Sequence, residues 1–295
     1  MTLRQAVAEA ATQLSGDPHL HPDARRDAEL LLLQATGITR AQFLANPERE
    51  LTPQEQSLYQ QSVVRRLRYE PVQYITGQQE FYGLTLRVTP AVLIPRPETE
   101  LLVESVLSHF KSRIADPLRI ADIGTGSGAI AIALAAYLPQ AEITALDISP
   151  EALRITESNA RTHNVAGRIR FLQADLLAIP ISQPSEPKSV QSNPFQHFDA
   201  IVSNPPYVSE ADAPDLHPLV RDHEPSTALF AGPSGLDIYR RLIPQAHAAL
   251  EPGGLLALEF GHGQREALAD LLANWHSLRF LDDLQHIPRV ALAEK

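Results

Sequence analysis

Asn204-Pro205-Pro206-Tyr207 is the stretch whose residue types point most directly to chemistry. Each proline fixes its own φ near about −65°, lacks an N–H, and pushes the residue before it toward extended geometry. Asn204 is therefore held extended, its side-chain oxygen and the neighbouring carbonyl of Pro205 standing as fixed acceptors, while Tyr207 supplies a flat wall. Two acceptors and an aromatic face suit a planar NH2 group, because the acceptors take its two hydrogens and the ring covers its face. A proline-stiffened turn would be spelled the same way, so the surroundings must decide. The apolar run 198–203 before it reads as a buried strand, and ligands of open α/β sheets bind just past the carboxyl ends of strands.

A second group of residues suggests a nucleoside site. Gly124-Thr125-Gly126-Ser127-Gly128 follows the strand pattern 118–123 and leads into an apolar helix from Ala129. Glycines there permit positive φ and close ligand approach, and the helix start offers free N–H donors. Asp147 ends the next strand, 142–146, and an acid at that tip can accept both hydroxyls of a ribose. Asp175 ends a third strand, 170–174, in the same way. Gly124-x-Gly126-x-x-Ala129 satisfies the loose dinucleotide pattern, so the turn alone leaves NAD open. Asp122-x-Gly124-x-Gly126-x-Gly128, with Asp175 for an adenine amino group, instead resembles the S-adenosylmethionine pocket of Rossmann-like methyltransferases. The Asn-Pro-Pro-Tyr stretch fits that reading only.

The elements that must position these groups follow from the spacing. Thr2-Leu3-Arg4-Gln5 opens a helix, Pro22 a second ended by Gly37, Thr39 a short third, and Thr52-Pro53-Gln54-Glu55 a longer one, together a small helical bundle. Arg65, Arg66 and Arg68 on the last of these read as a solvated face, with a partner-docking surface as the alternative. From Gln73 the pattern alternates, placing Leu84, Leu86 and Val88 on one face of a β-hairpin. Pro97 or Glu98 then starts a helix that buries Leu101, Leu102 and Val106. Strand, turn and helix repeat from 118 onward, the rhythm of a parallel sheet covered on both faces. Residues 179–197, rich in Pro, Ser and Gln, read as a surface insertion. A long acidic loop over the site runs from 208 to 235, followed by a helix through Ile238 and Leu242, the strand 255–260 and a helix over 264–274. The last two strands, near 278–280 and 289–292, form an antiparallel edge hairpin.

Composition narrows the function classes. The 295 residues carry a net charge of −10, and residues 1–72 hold 8 Lys+Arg and 9 Asp+Glu, leaving 17 and 26 for the remainder. The part bearing the site is thus acidic, which argues against direct gripping of nucleic acid phosphates. There is no cysteine, and the 11 histidines include no ligand cluster, so no metal is expected. The amphipathic start predicts no signal peptide, and no apolar run is long enough for a membrane span; a cytoplasmic monomer is expected.

Four segments, in order and spacing, carry a family resemblance: Glu80-Phe81-Tyr82-Gly83, Leu93-Ile94-Pro95-Arg96-Pro97-Glu98-Thr99-Glu100, Asp122-Ile123-Gly124-Thr125-Gly126-Ser127-Gly128-Ala129-Ile130 and Val202-Ser203-Asn204-Pro205-Pro206-Tyr207. Over about residues 73–260 the chain resembles the PrmC/HemK enzymes, glutamine N5-methyltransferases of peptide chain release factors. The resemblance implies an α/β fold, with a Rossmann-like class I methyltransferase domain over 95–295, mostly parallel with an antiparallel edge. It is preceded by a helical substrate-docking domain over 1–72 and a β-hairpin linker over 73–94. It implies S-adenosylmethionine as cofactor, contacted by Gly124, Thr125, Gly126, Ser127 and Gly128, with Asp147 on its ribose and Asp175 and Leu176 flanking adenine. Asn204, Pro205, Pro206 and Tyr207 would hold the substrate amide of a Gly-Gly-Gln loop, with Asn204, Pro205 and Tyr207 in the catalytic role and Asn204 also against the cofactor. His262 is assigned no part in catalysis. The competing readings are a methyltransferase for an exocyclic amine of a nucleic acid base, and a non-catalytic nucleoside-binding module of translation.

Overall fold

In a computed structural model of the chain, residues 1–178 and 197–295 are described. The stretch 179–197, read above as an insertion, lies outside them except for His197. Two compact units are formed, Met1–Gln78 with Asp215–Glu224, and Gln79–Pro214 with Pro225–Lys295. The segment 215–224, which the sequence reading leaves within 95–295, thus groups with the helical unit.

The first unit contains α1 (Leu3–Ser15), α2 (Ala24–Thr36), α3 (Arg40–Ala45), α4 (Pro53–Leu67) and α5 (Val72–Thr76). Thr2, Thr39 and Thr52 each accept the N–H three residues on, and Gln5, Gln42 and Glu55 reach back to close the capping boxes. α2 stops at Gly37, whose φ of 68° ends the helical repeat. Leu3, Val7 and Leu14 of α1, Leu31 and Leu32 of α2, and Tyr59 and Val63 of α4 share one core, against which Leu219 packs. Two expectations are corrected here. Val72–Thr76 is helical, so the alternating pattern begins five residues later than its first residues suggest. Arg66 is buried, with its Nε donating to Asp27 Oδ2 at 2.6 Å, because α2 covers the side of α4 that carries it.

The second unit begins at Gln79, within β1 (Gln78–Phe81), which Tyr82 and Gly83 join to β2 (Leu84–Arg87); their φ values of 49° and 73° suit a tight two-residue turn. In chain order follow α6 (Pro97–His109), β3 (Arg119–Ile123), α7 (Ala129–Tyr137), β4 (Glu142–Asp147), α8 (Pro150–Thr162), β5 (Ile169–Gln173), β6 (Phe198–Ser203), α9 (Pro218–Arg221, in the first unit), α10 (Asp237–Ala249), β7 (Leu250–Glu259), α11 (Arg265–Leu271), β8 (His276–Asp282) and β9 (Pro288–Glu294). Among the described residues, seven strands form one sheet in the order β5-β4-β3-β6-β7-β9-β8. β5 through β7 are parallel, and β9 pairs antiparallel with both β7 and β8. Leu102 and Val106 of α6, with Ile130 and Leu134 of α7, cover one face of the sheet. Tyr239 and Leu242 of α10, with Leu268 of α11, cover the other. Burial on both faces explains why β3, β4 and β6 read as nearly continuous apolar runs. This is the Rossmann-like α/β architecture with an antiparallel edge that the sequence implies, and the last strand is inserted between β7 and β8. Among the described residues no helix is long and apolar enough to cross a membrane.

Candidate active site

The strand order reverses between β3 and β6, and such a reversal opens a crevice at the carboxyl ends of the two strands. β3 and β6 pair in register from Ile120↔Ala200 to Ile123↔Ser203, so Gly124 and Asn204 leave the sheet side by side. Ser203 Oγ donates to Ile123 O at 2.7 Å and locks the two tips together. A cavity of about 380 Å³ opens there, lined on the β3 side by Gly124 to Ser127 and on the β6 side by Asn204, Pro205 and Pro206. That volume is in the range of small-molecule sites, roughly 300–1,000 Å³.

The glycine turn is held by bonds from three directions. The N–H groups of Gly124 and Thr125 both donate to Leu146 O at the end of β4, at 2.8 and 2.9 Å. Thr156 Oγ1 and Asn159 Nδ2, from α8, donate to the carbonyls of Gly126 and Ser127 at 2.8 and 2.9 Å. Thr125 Oγ1 and the Ala131 N–H converge on Asp122 Oδ2 at 2.7 and 3.1 Å. Asp122 Oδ1 has no hydrogen-bond partner among the described residues, and burial lifts this carboxyl to about 7 despite those two donors. Gly128 is required for packing: a Cβ there would stand 2.7 Å from Thr156 Cγ2 and 2.9 Å from Ile132 Cδ1. It does not line the cavity.

Asp147 lines the cavity at the tip of β4. Its Oδ2 accepts the Gly126 N–H and its Oδ1 the Ser149 N–H, both at 2.9 Å. A carboxylate has about four acceptor positions, so capacity remains for the two hydroxyls of a diol. Burial pushes its pKa up, and the N–H donors oppose that shift. Asp175 and Leu176 also line the cavity; the Asp175 carboxylate is paired with the Arg241 guanidinium, and Leu176 has a φ of 55°. The residues present fit S-adenosylmethionine. The backbone at Gly124 is bare at the cavity, with nothing within 4 Å of where a Cβ would stand. Asp147 offers an acceptor for the ribose, and Ile130, Leu146 and Leu176 give apolar walls.

At the end of β6, Asn204 lines the cavity, and its Nδ2 donates to Thr99 Oγ1 at 3.1 Å. Pro205 is buried, and Pro206 half-buried. Tyr207 is not among the cavity-lining residues. Its ring lies against Gly261, where a Cβ would meet Tyr207 Cδ2 at 2.9 Å, and its carbonyl accepts Gln264 Nε2 at 2.9 Å. Burial raises its hydroxyl to about 12. Thr99 and Glu259 near Asn204, Gln264 on Tyr207 and Arg241 on Asp175 are neighbours that the sequence reading does not assign. Glu259 had a signal available: it is an acid at the end of an apolar strand, as Asp122 and Asp147 are. His262 is exposed and away from the cavity.

Residues 5–77 match the PrmC N-terminal domain, and residues 114–280 a methyltransferase domain. A release factor glutamine methyltransferase of Koribacter versatilis is 42% identical over 295 residues, covering 100% of this chain and 99% of the relative. Its counterpart from Moorella thermoacetica is 46% identical over 271 residues, 92% of this chain and 89% of the relative. Among solved structures, the catalytic domain of hMettl16 in complex with MAT2A 3′UTR hairpin 1 aligns with a TM-score of 0.54 and 16% identity over 90% of each chain, a likeness of fold alone. With both domain families matched and the similarity running the length of the chain, the protein belongs to the release factor glutamine methyltransferase family, the one its motifs resemble.

Proposed function

We infer that this chain transfers a methyl group from S-adenosylmethionine to the side-chain amide N5 of the glutamine in the Gly-Gly-Gln motif of peptide chain release factors. The observation that carries this reading is the Asn204 amide at the switch point, its nitrogen bonded to Thr99 and its side chain lining a cavity shared with the glycine turn; we read its oxygen as the acceptor left for the substrate. Gly124, Thr125, Gly126 and Ser127 would hold the cofactor, with Asp147 at the ribose and Asp175 and Leu176 beside adenine. Bound there, S-adenosylmethionine supplies an electrophilic methyl group on a sulfonium sulfur.

An amide nitrogen is a poor nucleophile because its lone pair is delocalised into the carbonyl. Asn204 Oδ1 and the Pro205 carbonyl accept its two hydrogens and hold them out of the amide plane, which takes the nitrogen lone pair out of conjugation and readies it for attack. The two prolines keep these acceptors from turning away. Tyr207, anchored by Gln264, fixes the far end of the corner. Well-oriented pairs gain about 7–11 kcal/mol over free encounter, so positioning supplies much of the acceleration. No strong base is assigned, since the methylated nitrogen sheds its extra proton readily to water. Residues 1–72 are read as the domain that docks the release factor, 73–94 as a linker that carries the hairpin and 95–295 as the transferring domain. The protein is read as a cytoplasmic monomer that makes no direct contact with nucleic acid or membrane.

The test is incubation with labelled S-adenosylmethionine and purified release factor carrying either glutamine or alanine in its loop. Label on the glutamine form alone is expected. Label on both forms would move the modification elsewhere, and label in added RNA but not in protein would favour a base amino group as substrate.

A further inference from the structure

A side-chain amide has donor and acceptor ends of nearly equal size, so at a cavity it can lie either way round. Only one orientation offers an acceptor to a substrate NH2 group. Asn204 Nδ2 donates to Thr99 Oγ1 at 3.1 Å, and a hydroxyl that accepts in this way still has its own proton to give. The Thr99 hydroxyl faces the carboxylate of Glu259, as does the Asn204 side chain. Glu259 closes β7 one position after the Ser203↔Leu258 pair, which puts it beside Asn204, and it is 2% exposed. Its Oε2 has no hydrogen-bond partner among the described residues. Glu98 from α6 opposes its charge and Arg289 from β9 favours it; the hydroxyls of Tyr207 and Tyr239 also feel it. Burial is the largest influence and lifts the group to about 7, so the carboxylate is ionised in mildly alkaline solution. An ionised carboxylate only accepts hydrogen bonds, and this gives the chain of groups a single direction.

We propose that Thr99 and Glu259 are positioning residues for the transfer, holding Asn204 with its NH2 inward and its oxygen toward the cavity, and so selecting a substrate that donates the hydrogens of a planar NH2 group. The proposal rests on the reading of Asn204 as the acceptor for the substrate amide. Thr99→Val keeps the shape and the methyl group but can neither accept nor donate, whereas Thr99→Ser keeps the hydroxyl and loses the methyl. If Thr99 served packing alone, Val would be benign and Ser harmful.

The experiment measures methyl transfer to release factor at about pH 8, where most of Glu259 is ionised, with S-adenosylhomocysteine binding by calorimetry as the control for an intact cofactor site. Thr99→Val should lower kcat by about tenfold or more, the scale of a misdirected buried hydrogen-bonding group, with cofactor-product affinity and the KM for release factor little changed. Thr99→Ser should keep most of the wild-type kcat. A Val variant at the wild-type rate, or a Ser variant slower than Val, overturns the proposal. Should Val also lose S-adenosylhomocysteine binding, Glu259→Gln decides. The amide introduced by that substitution can donate back to Thr99, so the proposal requires a comparable fall in kcat, and a wild-type rate overturns it. A wild-type enzyme that leaves the glutamine unlabelled overturns the substrate reading and this proposal with it; labelling by wild type and Thr99→Val alike overturns the proposal alone.

Discussion

Asp147→Asn tests whether one carboxylate both ties the glycine turn and receives the cofactor. In the wild type each oxygen accepts one backbone N–H at 2.9 Å, from Gly126 and from Ser149. An asparagine has a single acceptor oxygen, so one of these N–H groups would face an NH2 group instead. A hydrogen bond to a charged group contributes about 1.5–3 kcal/mol, and a buried donor left unsatisfied costs about 1–3 kcal/mol. Asp147 is half-buried, which places the expected loss of apo stability at roughly 2–4 kcal/mol. The ribose hydroxyls lose a negatively charged acceptor as well. One charge-assisted bond of about 2–3 kcal/mol corresponds to S-adenosylhomocysteine binding roughly 30- to 150-fold weaker. Calorimetric titration of the variant, beside urea denaturation of the apo form, reads the two effects separately. Binding at wild-type strength would refute the ribose role, and unchanged apo stability would refute the tie to the turn.

Asn204→Ala should cut kcat by on the order of 10²-fold or more, the scale for losing a positioned transition-state hydrogen-bonding group, while S-adenosylhomocysteine affinity falls far less. Near-normal turnover in a filter-binding methylation assay would remove Asn204 from the chemistry. Burial raises Asp122 from an ordinary 3.8 to about 7, so the folded chain keeps this proton to higher pH than the unfolded chain does. Its contribution to stability is therefore full below about pH 4 and is lost as pH rises toward 7, by roughly 4 kcal/mol. Asp122→Asn removes that slope, so in urea denaturation the variant should gain on wild type from about pH 4 to 7; a difference independent of pH would contradict the assignment. In the helical unit, the side chains of Asp27 and Arg66 are each 4% exposed. Asp27→Ala strands a buried guanidinium and should cost about 3–5 kcal/mol, whereas Asp27→Leu combined with Arg66→Met should cost much less. Equal losses in the single and double variants, measured by chemical denaturation, would refute that account.

Much of the fold is legible in the chain because it is decided within a few residues. The capping boxes at Thr2, Thr39 and Thr52 and the stop at Gly37 each depend on a neighbour no more than four residues away. The same holds for the extended backbone at Asn204 ahead of two prolines, and for acids spelled at the ends of apolar strand runs. A sequence can state such local rules completely, since torsion and capping need no distant partner. It can also state a family resemblance, carried by motifs whose order and spacing survive in the chain.

What surrounds a side chain is decided over longer distances. Arg66 reads as solvated on its own helix, yet Asp27, 39 residues away, neutralises it in the core. Gly128 and Gly124 are spelled alike in the turn, but α8 fills the space beside one and the cavity opens beside the other. Tyr207 sits next to the cavity in sequence and against Gly261 in the structure. Thr99 and Asn204 are 105 positions apart and within hydrogen-bonding reach. The sequence by itself determined the types of the elements, the groups at their ends and the family. Only the tertiary structure decided which ends meet, because the strand order that sets β6 beside β3 is chosen by burial of both sheet faces at once, a condition that no single stretch of chain contains.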